Sequence, residues 1–211
     1  MIIIDNISQQ SPEWYRLHAG VPGASSFSRI VTTKGEPSKS QQDYIYELAS
    51  EKMTGTREQG YMSFAMEQGI IREEEARVFY ELITGESISQ VGFVFKDKER
   101  RVGCSPDGLL GLQNPITKNP SGLEIKCPLG KTHVKYLLSG KLPTDYFIQV
   151  QGSMWVSGFN KWVFMSYYPG MPPFILEVER DYKFTSALEV EMEAFLEELE
   201  TVTKILGCTA H

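Results

Sequence analysis

The chain has 211 residues, 41% of them apolar, and a net charge of −6. That is enough apolar material for one substantial core, so a single domain over residues 1–211 is expected. No apolar run approaches the roughly 18 residues of a membrane span, and Met1-Ile2-Ile3-Ile4-Asp5 is too short and lacks the basic flank of a signal peptide. Cys104, Cys127 and Cys208 form no Cys-x-x-Cys pair, which argues for a reducing, cytoplasmic setting and against zinc. The acidity is concentrated. Ser186 to Val202 holds six glutamates and no Lys or Arg, and the remaining acids and bases balance. That run reads as the solvated face of a C-terminal helix.

In chain order, Ser11-Pro12-Glu13-Trp14 is a helix start: a cap, proline in the first turn and an acid behind it. The helix ends near Gly20, and Val21-Pro22-Gly23 turns the chain. A second helix is expected over Ala24 to Val31, with Ser25 and Ser26 at its N-terminus. Free N–H groups there suit a phosphate, and ordinary capping accounts for the same serines equally well. Thr32 to Ser40 is a polar loop. Gln41 to Thr54 is a helix burying Tyr44, Ile45, Leu48 and Met53, ended by Gly55. After a linker over Thr56 to Tyr61, Ser63 to Thr84 is helical, with Val78, Phe79 and Leu82 as its apolar stripe. Glu73, Glu74 and Glu75 fan over roughly 200° of that helix, so at most one or two can face one site.

Val91 to Phe95 and Arg101 to Ser105 read as a strand pair across a charged turn, and Leu109 to Leu112 continues the sheet. Gln113 to Ser121 is a loop. Lys131 to Ser139 is a helix made basic by Lys131, His133 and Lys135, either a contact for an anionic backbone or a solvated face. The next helix runs from Pro143-Thr144 to Val156 and carries Phe147, Gln151 and Trp155 on one face. A glutamine there needs a polar partner within the packing. Strands over Lys161 to Tyr168 and Phe174 to Glu179 precede a last helix over Thr185 to Leu206. The expected fold is α/β (α+β), a central mixed sheet of about five strands flanked by helices.

The chemistry concentrates between Gly103 and Pro128. Pro106 and Gly108 bracket Asp107 in a turn that presents its carboxylate. Leu123-Glu124-Ile125-Lys126-Cys127 alternates, which puts Glu124 and Lys126 on one face and Leu123, Ile125 and Cys127 toward the core. If the two segments are neighbouring strands, Asp107, Glu124 and Lys126 converge. Two carboxylates held together invite a hard cation, and acid, acid and lysine around such an ion suit phosphodiester hydrolysis. A hairpin with an exposed turn aspartate and a surface Glu–Lys pair fits the spacing as well.

The Cys104-Ser105-Pro106-Asp107-Gly108 segment, Gly122 to Pro128, and Gln149-Val150-Gln151-Gly152-Ser153-Met154-Trp155-Val156 together resemble the phage lambda exonuclease family. These are YqaJ-type viral recombinases, or alkaline exonucleases, within the restriction-endonuclease-like nuclease superfamily. The resemblance runs from about Trp14 to the C-terminal helix. It implies a magnesium-dependent exonuclease, with Mn2+ as a substitute ion and two ions per site, digesting one strand of duplex DNA 5′ to 3′ to mononucleotides. It implies Asp107, Glu124 and the Ile125 carbonyl as metal ligands, with Glu73 at a second ion. Lys126 would orient or deprotonate the water, supported by Gln151. Ser25, Ser105 and His18 would receive a terminal 5′-phosphate, His18 standing where the family has arginine. It also implies a homotrimeric ring enclosing DNA, a single-strand annealing protein as partner, and action in a bacterial host's cytoplasm.

Overall fold

The computed structural model describes residues 1–57, 64–112 and 120–207. The strands form two sheets. The small one joins β1 (Ile2–Ile4), β3 (Phe93–Phe95) and β4 (Gly103–Cys104), in the order β1-β3-β4 and antiparallel throughout. The large one joins β2 (Ile88–Ser89), β5 (Gly108–Leu110), β6 (Ser121–Lys126), β7 (Lys161–Ser166) and β8 (Phe174–Glu179), in the order β2-β5-β6-β7-β8. Only β6 and β7 are parallel. A parallel pair needs a long crossover, here supplied by α4 (Gly130–Ser139) and α5 (Thr144–Ser157). The α+β class and the five-strand mixed sheet are as expected. The hairpin over residues 91–105 instead belongs to the small sheet, and the fifth strand is the short β2.

Helices cover both faces of the large sheet. Alternation along the strands divides the core. Leu123, Ile125, Val163 and Met165 pack with Ala76 and Tyr80 of α3 (Phe64–Thr84). Trp162 and Phe164 point the other way, into a larger core with α5, α2 (Gln41–Thr54), α6 (Tyr182–Ile205) and a 3-10 helix over Ala24–Arg29. Each of these large side chains contributes roughly 1.5–3 kcal/mol by leaving water. The 3-10 turn replaces the α-helix expected there, its first bond running from the Ser26 N–H to the Gly23 carbonyl at 2.8 Å.

Two helix faces differ from expectation. On α2, Tyr44, Ile45 and Leu48 are buried but Met53 is exposed, because the helix ends at Gly55 (φ 65°) and its last turn projects past the core. On α3, Val78 and Leu82 are exposed, and among the described side chains Ala76 and Tyr80 are buried, with Phe79 packed at their edge. Helix α1 (Pro12–Leu17) is capped by Ser11, whose hydroxyl accepts from the Trp14 N–H at 3.2 Å. The glutamates of the acidic helix α6 lie on its solvated side, where Glu193 pairs with Arg101 at 3.3 Å and Glu189 with Lys96 at 3.9 Å. Among the described residues no helix is long and apolar enough to cross a membrane. Residues 113–119 of the loop expected over Gln113 to Ser121, most of the linker before α3, and Cys208 lie outside the described residues, and Ser121 already belongs to β6.

Candidate active site

Strand β6 outruns its neighbour. β5 begins at Gly108, opposite Leu123, so Glu124 to Lys126 pair only with β7. Asp107 fills the gap left on the β5 side. Its N–H donates to the Leu123 carbonyl at 3.1 Å, and its Oδ2 accepts from the Ile125 N–H at 2.5 Å. In a strand the N–H and C=O of one residue point to the same side, and successive residues alternate. The Lys126 carbonyl accepts from the Tyr167 N–H across on β7. The Ile125 carbonyl therefore turns toward Asp107. A turn aspartate thus completes an unfinished ladder and faces a backbone carbonyl.

Glu124 and Lys126 rise from the face of β6 that α5 covers. Lys126 Nζ lies 2.5 Å from Glu124 Oε1, and Gln149 Nε2 donates to the same oxygen at 2.6 Å. Glu124 is 2% exposed, so its carboxylate is buried, while Lys126 and Gln149 are partly buried. Glu73 comes from α3, across the sheet edge, where Arg77 Nη1 grips its Oε1 at 2.5 Å. A cleft of about 470 Å³ opens there, with Glu73, Arg77, Asp107 and Gln9 in its walls. Of the other two glutamates in the run, Glu74 pairs with Arg77 and Glu75 accepts from the Tyr167 hydroxyl.

Burial, then the Glu124 charge, holds the Asp107 carboxyl well above the usual carboxylate range. Glu73 adds to this, while Lys126 and the Ile125 N–H oppose it. Burial pulls the Lys126 ammonium down, but Glu124 and Asp107 outweigh it and the net shift is upward. Lys126 is therefore an ammonium at neutral pH unless something else takes up the carboxylate charge. The Cys127 thiol is pushed up to about 12 by burial, then by Glu73 and Asp107; Cys104 is pushed up too, first by burial and then by Glu124. Both are inert thiols packed beside the site.

The donor set fits a hard divalent cation. Among the described residues no three His, Cys, Asp or Glu side chains form a ready-made cage. What stands here is two carboxylates, a directed carbonyl and room for water, which is how magnesium is ordinarily held. A cation would also relieve the repulsion that strains Asp107.

Three expected site residues are placed differently. Gln151 is spent on structure: its Nε2 donates to the Glu179 carbonyl at 2.9 Å, and its Oε1 accepts from the Asp181 N–H at 2.8 Å, fastening α5 to the start of α6. The glutamine at Glu124 is Gln149, which sequence reasoning missed. His18 is 1% exposed. Its Nδ1 meets the Trp14 carbonyl, its Nε2 has no partner among the described residues, and its ring lies against Trp14 and Phe93. Burial lowers its pKa to about 4, so it cannot serve as an exposed cation for a phosphate at neutral pH. His133 is also buried, bonded to Ser166 Oγ at 2.8 Å and the Pro172 carbonyl at 2.9 Å, which leaves Lys131 and Lys135 as the exposed charges of α4. For the two serines, a parallel bridge joins Gly23 to Gly103, two residues before each of them, and the chain leaves that bridge at Ala24 to enter the 3-10 helix. Ser25 is exposed, while the Ser105 hydroxyl donates to the Gly92 carbonyl at 3.3 Å.

The glutamines separate by experiment. Gln149→Leu removes a donor from a buried carboxylate, worth about 1.5–3 kcal/mol, and should cut turnover by about tenfold or more. Gln151→Leu should lower Tm and leave turnover per folded molecule unchanged; the reverse pattern would return the catalytic side to Gln151. His18 gives an acid-stability prediction. Its folded pKa of about 4 lies below the ordinary 6.5, so the unfolded chain binds the proton first. Stability is intact above 6.5 and falls as pH drops toward 4. Between pH 7 and pH 5 the parent should lose about 2 kcal/mol that His18→Phe does not lose, read from urea unfolding at each pH.

Fold and site together define a nuclease built on a restriction-endonuclease-like core, with its acids and lysine where β6 outruns β5. The chain belongs to the YqaJ-like viral recombinase domain family, whose model matches residues 13–160. Among solved structures it is similar to an alkaline exonuclease from Laribacter hongkongensis, with a TM-score of 0.81 and 32% identity over 93% of this chain and 96% of that one. The same enzyme in complex with dAMP matches at a TM-score of 0.80 with the same identity and coverage. A phage-related exonuclease from Haemophilus somnus 129PT shares the fold, with a TM-score of 0.62 and 14% identity over 88% of this chain and 96% of that one. No curated protein matches the sequence.

Proposed function

We propose that this protein is a magnesium-dependent exonuclease that digests one strand of linear duplex DNA 5′ to 3′, releasing 5′-mononucleotides and leaving a 3′ overhang for strand annealing. The observation that carries the reading is the convergence of Asp107, the Ile125 carbonyl, Glu124 and Lys126 at the open end of β6. Asp107, Glu124 and the Ile125 carbonyl would hold one ion, and Glu73 a second or its waters. Bound metal activates water and steadies the leaving oxygen. The chain's own groups do the rest. Gln149 fixes Glu124. Lys126, protonated beside two carboxylates, donates to and orients the water, and becomes a plausible base only once those carboxylate charges are neutralised. Ser25 and Ser105 would receive the terminal phosphate. The kinship with exonucleases supports nuclease action on DNA, and direction and product are what the resemblance to the phage lambda exonuclease family implies. A homotrimeric ring and an annealing partner belong to the same reading, since a ring would keep a net-acidic chain on DNA. Light scattering should then give three protomers.

The test compares linear and covalently closed duplex, with and without magnesium, using separate labels at the 5′ and 3′ ends. Magnesium-dependent release of the 5′ label as mononucleotide, with closed circles untouched, supports the reading. Nicked circles at a comparable rate would make it an endonuclease, and binding without cleavage would make it a DNA-end-binding protein.

A further inference from the structure

Asp107 stands at the end of a turn, and a turn must be held if its carboxylate is to meet an ion. The N-terminal arm, ahead of the segment the family model matches, reaches that turn. Gln9 Nε2 donates to the Pro106 carbonyl at 2.8 Å and to the Val91 carbonyl at 2.9 Å. Both hydrogens of one carboxamide are used, and two carbonyl partners fix its orientation. One of those carbonyls belongs to the peptide that joins Pro106 to Asp107.

The arm is itself pressed into place. The Gly92 N–H donates to the Ile4 carbonyl at 2.8 Å, and a Cβ on Gly92 would lie 2.2 Å from the Ile7 carbonyl oxygen, so only glycine admits the arm at this distance. The Gly92 carbonyl accepts from Trp14 Nε1 at 2.8 Å and from Ser105 Oγ at 3.3 Å. The carbonyls of residues 91, 92 and 106 are thus held by side chains of the arm, α1 and the Pro-Asp turn itself. Gln9 alone among them bonds both segments.

We infer that Gln9 is a positioning residue for Asp107, a clamp that sets its carboxylate against the Ile125 backbone before any metal arrives. The inference rests on the reading of Asp107 as a metal ligand, but its geometry can be measured in metal-free protein. The Ile125 N–H donates to Asp107 Oδ2 and reports directly on where that carboxylate is.

The experiment measures amide hydrogen exchange at Ile125 in the metal-free full chain, manganese binding by calorimetry, and Tm. Gln9→Met keeps the shape and removes both donors. Gln9→Asn keeps the donors but is one methylene short. Gln41→Ala is the control, because Gln41 Nε2 also bonds a backbone carbonyl, that of Ile30, away from the site. Gln9→Met should speed Ile125 exchange about tenfold and weaken manganese binding by about as much, on the usual worth of lost hydrogen bonds. Gln9→Asn should fall between it and the parent. Gln41→Ala should lower Tm and move neither readout. Ile125 exchange at the parental rate in both Gln9 variants would overturn the inference, as would acceleration no larger than the control's. If the parent bound no manganese, the ligand reading of Asp107 would fall, and exchange at Ile125 would still decide the clamp.

Discussion

Asp107→Asn should abolish cleavage, by on the order of 10³-fold or more, since the metal term it supports supplies several kcal/mol of barrier lowering. The same change should raise the Tm of the metal-free protein at pH 8. Burial and the Glu124 charge hold the Asp107 carboxyl well above its ordinary range, so the ionised form is a cost to folding. That cost is present above the raised pKa and is withdrawn as pH falls through it. Asparagine removes it and still offers an oxygen to the Ile125 N–H. Magnesium or manganese should reverse the order: the parent gains about 2.7 kcal/mol at a hundredfold excess over Kd, and the variant does not. Scanning calorimetry with and without metal reads both effects. A variant that gained as much from metal as the parent would remove Asp107 from the ligand set.

Lys126→Met separates chemistry from binding. Turnover should fall about 10²-fold or more, the usual loss when a positioned proton donor or acceptor is removed. Metal affinity should hold or improve, because a competing cation 2.5 Å from Glu124 has gone. Glu124 would then keep only Gln149 as a donor to a buried charge. The metal-free variant should therefore lose about 3 kcal/mol of stability at neutral pH and recover part of it as falling pH protonates that carboxyl. Unchanged turnover would make Lys126 only the ion-pair partner of Glu124.

The acid–acid–lysine group was legible because it rests on local rules. A proline and a glycine around Asp107 force a turn, and two-residue periodicity puts Glu124 and Lys126 on one face whatever lies around them. Helix starts at Ser11-Pro12 and ends at Gly55 were legible for the same reason, since caps act within one turn of chain. What β5 and β6 could not announce was that β6 outruns its partner, which is what leaves the Ile125 N–H for Asp107.

Helix faces were decided elsewhere. From Val150 to Ser157 every residue of α5 is buried, so the helix carries no polar side from which to choose between Gln149 and Gln151. Packing against the sheet turned Gln149 to Glu124, and the start of α6 took Gln151. On α3, aliphatic residues occur on both sides, and the stripe that Val78 and Leu82 suggest faces outward. The resemblance puts His18 in a 5′-phosphate pocket, while the tertiary structure buries it with Trp14 and Phe93 against its ring. Sequence by itself determined which residues could do chemistry and the local turns and strands that present them. Only the tertiary structure decided which partners they meet, because burial and hydrogen-bond partners come from segments far apart in the chain, as Gln9 and Pro106 do.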